Sequence, residues 1–167
     1  KCYNGLQENQ ELFAKARRSK TKHQAWEGGY LDHITETMNL AIIFYDTLSH
    51  TKRPLNFSLS DSLLVLFLHD LEKPWKQANK NLGLEKKSGE KVNHSIKEFR
   101  DKKIKEYGFE LTSDQENAVK YVEGEGEDYD PHKNVMNELA TFCHICDITS
   151  ARIYHDYPKK EKDPWKG

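Results

Sequence analysis

His69 and Asp70 follow directly on residues 63–68, the most apolar run of the chain. A helix that is apolar on every side belongs in a core, and a carboxylate carried there is costly unless a cation or hydrogen bonds compensate it. A buried metal site is therefore expected at this pair. Two further residues share the inward bias. Asp147 is preceded at four, seven and eleven residues by Cys143, Ala140 and Met136, and His33 is followed by Thr37, Leu40 and Phe44, so each faces a core when helical. Two imidazoles and two carboxylates suit a divalent transition ion (Mn, Fe, Co, Ni or Zn), whereas magnesium prefers more oxygen donors. Taken singly, His33 and His69 would more often be hydrogen-bonded core histidines and Asp70 a helix-end carboxylate.

The elements that must carry these side chains are helices almost throughout, because apolar residues recur at three- and four-residue spacing and no stretch alternates like a strand. The expected fold class is all-α, a bundle of about six helices. A first helix over 7–20 leads into the basic residues Lys15, Arg17, Arg18, Lys20 and Lys22, and Gly28-Gly29 then breaks the chain. The second spans 30–48, starts near His33 and turns Leu31, Met38, Ala41, Ile42 and Tyr45 inward. A third opens at Ser58 or Ser60, with Ser58 and Asp61 spaced for capping, and stops at Pro74. Residues 77–91 are polar, contain Gly83 and Gly89, and are expected to form a mobile loop. A fourth helix spans 92–107 before Gly108, and a fifth starts at the capping-box pattern Ser113-Asp114-Gln115-Glu116 and ends near Glu123. Asp130-Pro131, a cap followed by proline at the first helical position, opens a last helix that reaches about Tyr154. Residues 1–157 then form one domain, with the lysine-rich 158–167 as a polar tail.

The length of 167 residues suffices for one domain with a proper core and falls short of two ordinary ones. Hydrophobic residues make up 36% and charged residues 32%, which gives a well-solvated surface over a core drawn from a few apolar segments. A formal net charge of −1 excludes the broad attraction to a nucleic-acid duplex or an anionic membrane that strongly basic domains show. Residues 63–68 are far shorter than the about 20 residues a membrane span needs. No secretory leader opens the chain, so a cytoplasmic location is expected, although a start at Lys1 rather than Met leaves room for preceding residues. Cys2, Cys143 and Cys146 cannot build a disulfide framework. Cys143-His144-Ile145-Cys146 lacks the second pair of a zinc site and is expected to be core.

The order His, then His-Asp on the next long helix, then Asp on a late helix resembles the HD-domain metal-dependent phosphohydrolase superfamily. Glu27-Gly28-Gly29-Tyr30-Leu31-Asp32-His33 looks like the family's glycine-glycine approach to its first ligand helix. His69-Asp70-Leu71-Glu72-Lys73 is similar to its His-Asp-x-x-Lys signature, and Cys146-Asp147-Ile148-Thr149-Ser150-Ala151-Arg152 resembles its final Ala-Asp-x-x-Ser-x-Arg segment. The likeness covers about residues 20–155. It implies an HD-type bundle in which His33, His69, Asp70 and Asp147 hold the metal, Asp70 also serves the reacting water, and Lys73 meets substrate phosphate. Lys73 is otherwise a solvated cation at a helix end.

Relatives with two or three metals add histidines between the His-Asp pair and the last Asp. His94 fits the first such place. The second falls near 122–125, where the chain offers no histidine and Glu123 could stand in as an oxygen donor or be a solvated acid. The missing histidine argues against the family's di-iron oxygenases. His132 follows Pro131 at a helix start and is expected to be a bystander or a substrate contact. Arg17, Arg18 and His23 precede the first ligand helix and could grip phosphate, or balance a helix end. Trp26, Tyr30 and Trp75 could stack on a base or simply pack. The expected activity is hydrolysis of a small phosphorylated substrate, a nucleotide mono- or triphosphate or a similar ester, by a chain that could be oligomeric. The alternatives are a cyclic or linear dinucleotide phosphodiesterase with a dinuclear centre, a di-iron oxygenase, and a non-enzymatic binding module.

Overall fold

A computed structural model describes residues 7–19, 22–78 and 89–156, with the backbone alone over 89–95. Among the described residues every regular element is helical. The α-helices are α1 (Gln10–Lys15), α2 (Gly29–Ser49), α3 (Leu59–Leu68), α4 (Lys73–Ala78), α5 (Gly89–Glu106), α6 (Ser113–Tyr121) and α7 (Glu138–Arg152), with a 3₁₀ turn at Gly126–Asp128. The all-α bundle expected from the three- and four-residue spacing is the fold observed. None of these helices is long and apolar enough to cross a membrane.

Helices α2, α3 and α7 pack against one another, α6 lies on α3 and α7, and α1 bridges α2 and α4. Val65, Leu66 and Leu68 of α3 are fully buried in one core with Ala41 of α2, Ala118 of α6 and Ala140, Cys143 and Cys146 of α7. Burial pushes both thiols up, so Cys143 and Cys146 serve as small apolar fillers, as expected.

Several boundaries fall elsewhere than the sequence predicts. α1 stops at Lys15 because Ala16 turns extended, and its carbonyl accepts from the Tyr30 N–H at 3.0 Å. Lys20 lies outside the described residues. α3 does open at Ser58, whose hydroxyl accepts from the Asp61 N–H while Asp61 Oδ2 accepts from the Ser58 N–H. It ends at Leu68, six residues before Pro74, and Pro74 instead sits in the first turn of α4, where its missing N–H would have had no helical partner. α4 runs to Ala78 and the α5 backbone begins at Gly89, inside the stretch expected as a mobile loop; 79–88 lie outside the described residues.

α6 is capped one residue earlier than predicted, by Thr112 and Gln115. Asp130-Pro131 does not open the last helix: the Asp130 side chain accepts from the His132 N–H at 2.9 Å in a local turn. α7 starts at Glu138, capped by Asn137. Asn137 wins because tertiary bonds hold it, its N–H donating to Asn117 Oδ1 and its amide to the Asp114 carbonyl.

Candidate metal centre

Gly28 and Gly29 set where α2 begins. Gly28 has φ +83°, and a Cβ on Gly29 would stand 2.1 Å from the Gln24 carbonyl oxygen, so the Gln24 backbone can lie directly on the helix start. Gln24 is itself buried, donates its N–H to the His155 carbonyl at 2.9 Å, and accepts from the Arg18 N–H at 3.1 Å. This crossing folds Arg18 over the N-terminal turn that carries His33.

His33 comes from α2, His69 and Asp70 from the end of α3, and Asp147 from α7, and all four are buried. His33 Nε2, His69 Nε2 and an Asp147 oxygen lie within 4.8 Å of one another, a group that could hold a metal ion. Asp147 Oδ1 is 3.0 Å from His33 Nε2 and 3.5 Å from His69 Nε2. Asp70 Oδ2 stands 3.4 Å from His69 Nε2 and 3.9 Å from His33 Nε2. These approaches are close without hydrogen-bond alignment, for both Nε2 atoms, both Asp70 oxygens and Asp147 Oδ1 are buried without a hydrogen-bond partner.

The far side of each imidazole is anchored. His69 Nδ1 lies 2.7 Å from the Leu66 carbonyl, which can only accept, so Nδ1 carries the proton. His33 Nδ1 lies 3.1 Å from Ser150 Oγ, which Gln24 Nε2 also approaches at 3.2 Å. On His69 the Nδ1–H donates, so its Nε2 presents a lone pair, and His33 Nε2 does the same when Ser150 Oγ accepts from Nδ1; lone pairs facing two carboxylates call for a cation. Ser150 and Gln24 were not among the residues expected at the site. Ser150 was within reach, since it follows Asp147 by three on one helix face; nothing local marks Gln24.

The protein's own charges shape the cluster. Arg18 Nε lies 2.5 Å from Asp70 Oδ2, and its Nη2 is 3.7 Å from Asp147 Oδ1 and 3.8 Å from Glu123 Oε1. Lys73 Nζ is 3.3 Å from Asp70 Oδ1 and 3.7 Å from Glu123 Oε1. Burial would raise Asp70, but Arg18 and then Lys73 hold its carboxyl well below the usual carboxylate range. Burial likewise opposes ionised Asp147, and the two facing imidazoles keep it low. Burial takes His33 down to about 4 against the pull of Asp147, whereas Asp70 and Asp147 outweigh burial to raise His69. No family model, curated protein or solved structure matches the chain.

The remaining candidates separate clearly. Arg18 and Lys73 border the cluster, and His23 stands at its edge with its ring centroid 5.5 Å from that of His33. Arg17 is exposed, its N–H donating to Gln77 Oε1 at 2.7 Å. Glu123 reaches the rim, 58% exposed in its side chain, but engages the two cations. His94 falls where side chains lie outside the described residues, and His132 is exposed in its turn. Tyr30 is fully buried, and Trp75 packs edge-on to Phe13 at 5.4 Å with Lys103 Nζ 5.2 Å from its ring centroid, so both are packing residues. Trp26 donates its indole N–H to Asp32 at 2.6 Å.

Proposed function

We propose that this chain is an HD-type, metal-dependent phosphohydrolase acting on a nucleotide mono- or triphosphate or a similarly small phosphate ester. The observation that carries it is a buried set of acceptor atoms, His33 Nε2, His69 Nε2 and Asp147 Oδ1, bordered through Asp70 by two fixed cations, Arg18 and Lys73. His33, His69, Asp70 and Asp147 would hold the ion, which when bound supplies a water of lowered pKa and a positive charge against phosphoryl oxygens.

The chain's own residues do the rest. Arg18 offers a planar fork that can meet two phosphate oxygens, and Lys73 adds a point charge beside it. Their attraction for an anion is strong because the cluster is shielded from bulk water. Glu123 competes for the same two cations from the exposed side, so a substrate phosphate displaces it. Asp70 stays ionised and therefore accepts a proton or orients a water rather than donating. The engagement of Glu123 with cations supports one ion over two, and hence a small phosphate ester over a dinucleotide diester or oxygenase chemistry.

The test is phosphate release from nucleoside mono- and triphosphates by the purified chain with Mn, Fe, Co, Ni or Zn supplied singly. Turnover should appear with at least one ion, stop with a chelator, and vanish together with metal binding in Asp70→Ala. Silence across all pairs would end the hydrolase reading, and turnover retained by Asp70→Ala would show that the centre is misassigned.

A further inference from the structure

Of the buried guanidinium groups among the described residues, Arg18 faces the cluster directly and Arg100 reaches it through the backbone. Arg100 comes from α5 with 7% of its surface exposed. Its Nη1 donates to two main-chain carbonyls, Val119 O at 3.1 Å and His69 O at 3.4 Å. Both oxygens belong to helix C-termini. His69 is the C-cap of α3, and Val119 lies in the last turn of α6, so no further turn of helix offers either a partner. Aligned peptide dipoles favour a cation at such an end. One cation here serves two ends. Its Nε and Nη2 both donate to Asp101 Oδ1 at 3.1 Å, which fixes the orientation of the fork.

We propose that Arg100 is a positioning residue for the metal centre, fixing the backbone from which His69 and Asp70 project by tying the His69 carbonyl to the last turn of α6. This rests on the reading of the cluster as a metal centre. The other anchor of His69, its Nδ1–H on the Leu66 carbonyl, is internal to α3 and orients the ring only relative to that helix. Arg100 supplies a main-chain link from the helix end to α6, beside the side-chain ion pairs of Asp70 and Lys73. The turn beyond is tight, with the Leu71 N–H on Leu68 O at 3.2 Å and the Lys73 N–H on Asp70 O at 3.0 Å, so Asp70 and Lys73 follow wherever the His69 peptide goes. Arg100 also secures the end of α6, four residues before Glu123. A bond to a carbonyl adjoining a ligand acts as outer-shell support does in metal sites generally.

The test compares Arg100→Met, which keeps the stem and removes the fork, with Arg100→Lys, which keeps the charge. The full chain is titrated with Co²⁺ while its visible absorption is followed, and amide hydrogen exchange is recorded without metal. Arg100→Met should weaken Co²⁺ binding by about 10-fold or more and alter the absorption envelope, with Arg100→Lys affected less. The amides of Leu71 and Lys73 should exchange faster than in the unmodified chain, while those in the middle of α2 stay unchanged. A lowered Tm with Co²⁺ affinity, spectrum and exchange at Leu71 and Lys73 intact would overturn the proposal, leaving Arg100 merely structural. If Arg100→Met fails to fold, Arg100→Lys carries the same comparison. An unmodified chain that binds no Co²⁺ overturns the metal reading and this role with it, whereas variants that bind as well as the unmodified chain overturn this role alone.

Discussion

Asp70 keeps its charge in an enclosed position because Arg18 Nε, at 2.5 Å, and Lys73 Nζ, at 3.3 Å, stand against its two oxygens. The same pair explains why Lys73 is more than a helix-end cation. Burial would lower its pKa, yet Asp70 above all raises it, so the ammonium is held charged at the rim. A charge placed on a transferring phosphoryl group matters most in the transition state. For the proposed hydrolysis, Lys73→Ala should therefore lower kcat/KM by at least ~10-fold, roughly 1.4 kcal/mol, with metal content unchanged; steady-state kinetics beside metal analysis decides it. Glu72, which precedes Lys73, shows the opposite balance. Burial first and Asp70 second push it up to about 7. An acid raised in the fold costs nothing while both states are protonated, and stability is lost as pH rises from the ordinary carboxylate range through about 7. The Tm of the unmodified chain should consequently fall more between pH 5.5 and pH 8 than that of Glu72→Gln, by at least ~2 °C. Parallel pH profiles would remove Glu72 from this role.

At the scale of elements, the start of α2 is set by contact rather than by propensity. Gly29 is needed because a Cβ would meet the Gln24 carbonyl at 2.1 Å, and that carbonyl also receives the Arg18 N–H. Gly29→Ala should both destabilise the fold and weaken metal binding, since relief of the clash must move Gln24, its contact with Ser150, and the Ser150 bond to His33. Asn137→Ala offers a contrast. It removes the α7 cap, ten residues from Asp147, and should cost about 1 kcal/mol in denaturant unfolding while leaving metal affinity near normal. Equal effects of the two substitutions on metal affinity would contradict this division.

For the whole molecule, packing of α2, α3 and α7 on one another is what makes three distant segments a single cluster. The unfolded chain has no such cluster, so an ion that binds it stabilises the fold by linkage. At a concentration 100 times Kd the gain is about 2.7 kcal/mol, or roughly 5–10 °C in Tm for a chain of this size. Saturating Mn²⁺ or Co²⁺ should produce that rise, a chelator should reverse it, and Asp147→Asn should abolish it. A Tm indifferent to every divalent ion would count against the centre.

Apolar spacing made the helices legible, and the sequence by itself turned His33 and Asp147 inward, because helical period converts spacing into a face, while the apolar run 63–68 carried His69 and Asp70 into the core. It also marked Ser58 as a cap, where the bonds are local to Ser58 and Asp61. Only the tertiary structure decided between Asp130 and Asn137 as the cap of α7, since both carry suitable side chains and the choice rests on Asn117 and Asp114, about twenty residues away. It likewise separated Arg18 from Arg17, neighbours of the same chemistry, by laying one on Asp70 and leaving the other exposed. Glu123 was drawn to two cations, and Arg100 to two helix ends, by partners remote in the chain. Short-range periodicity fixes which way a side chain faces; which distant group it then meets depends on packing that no local pattern encodes.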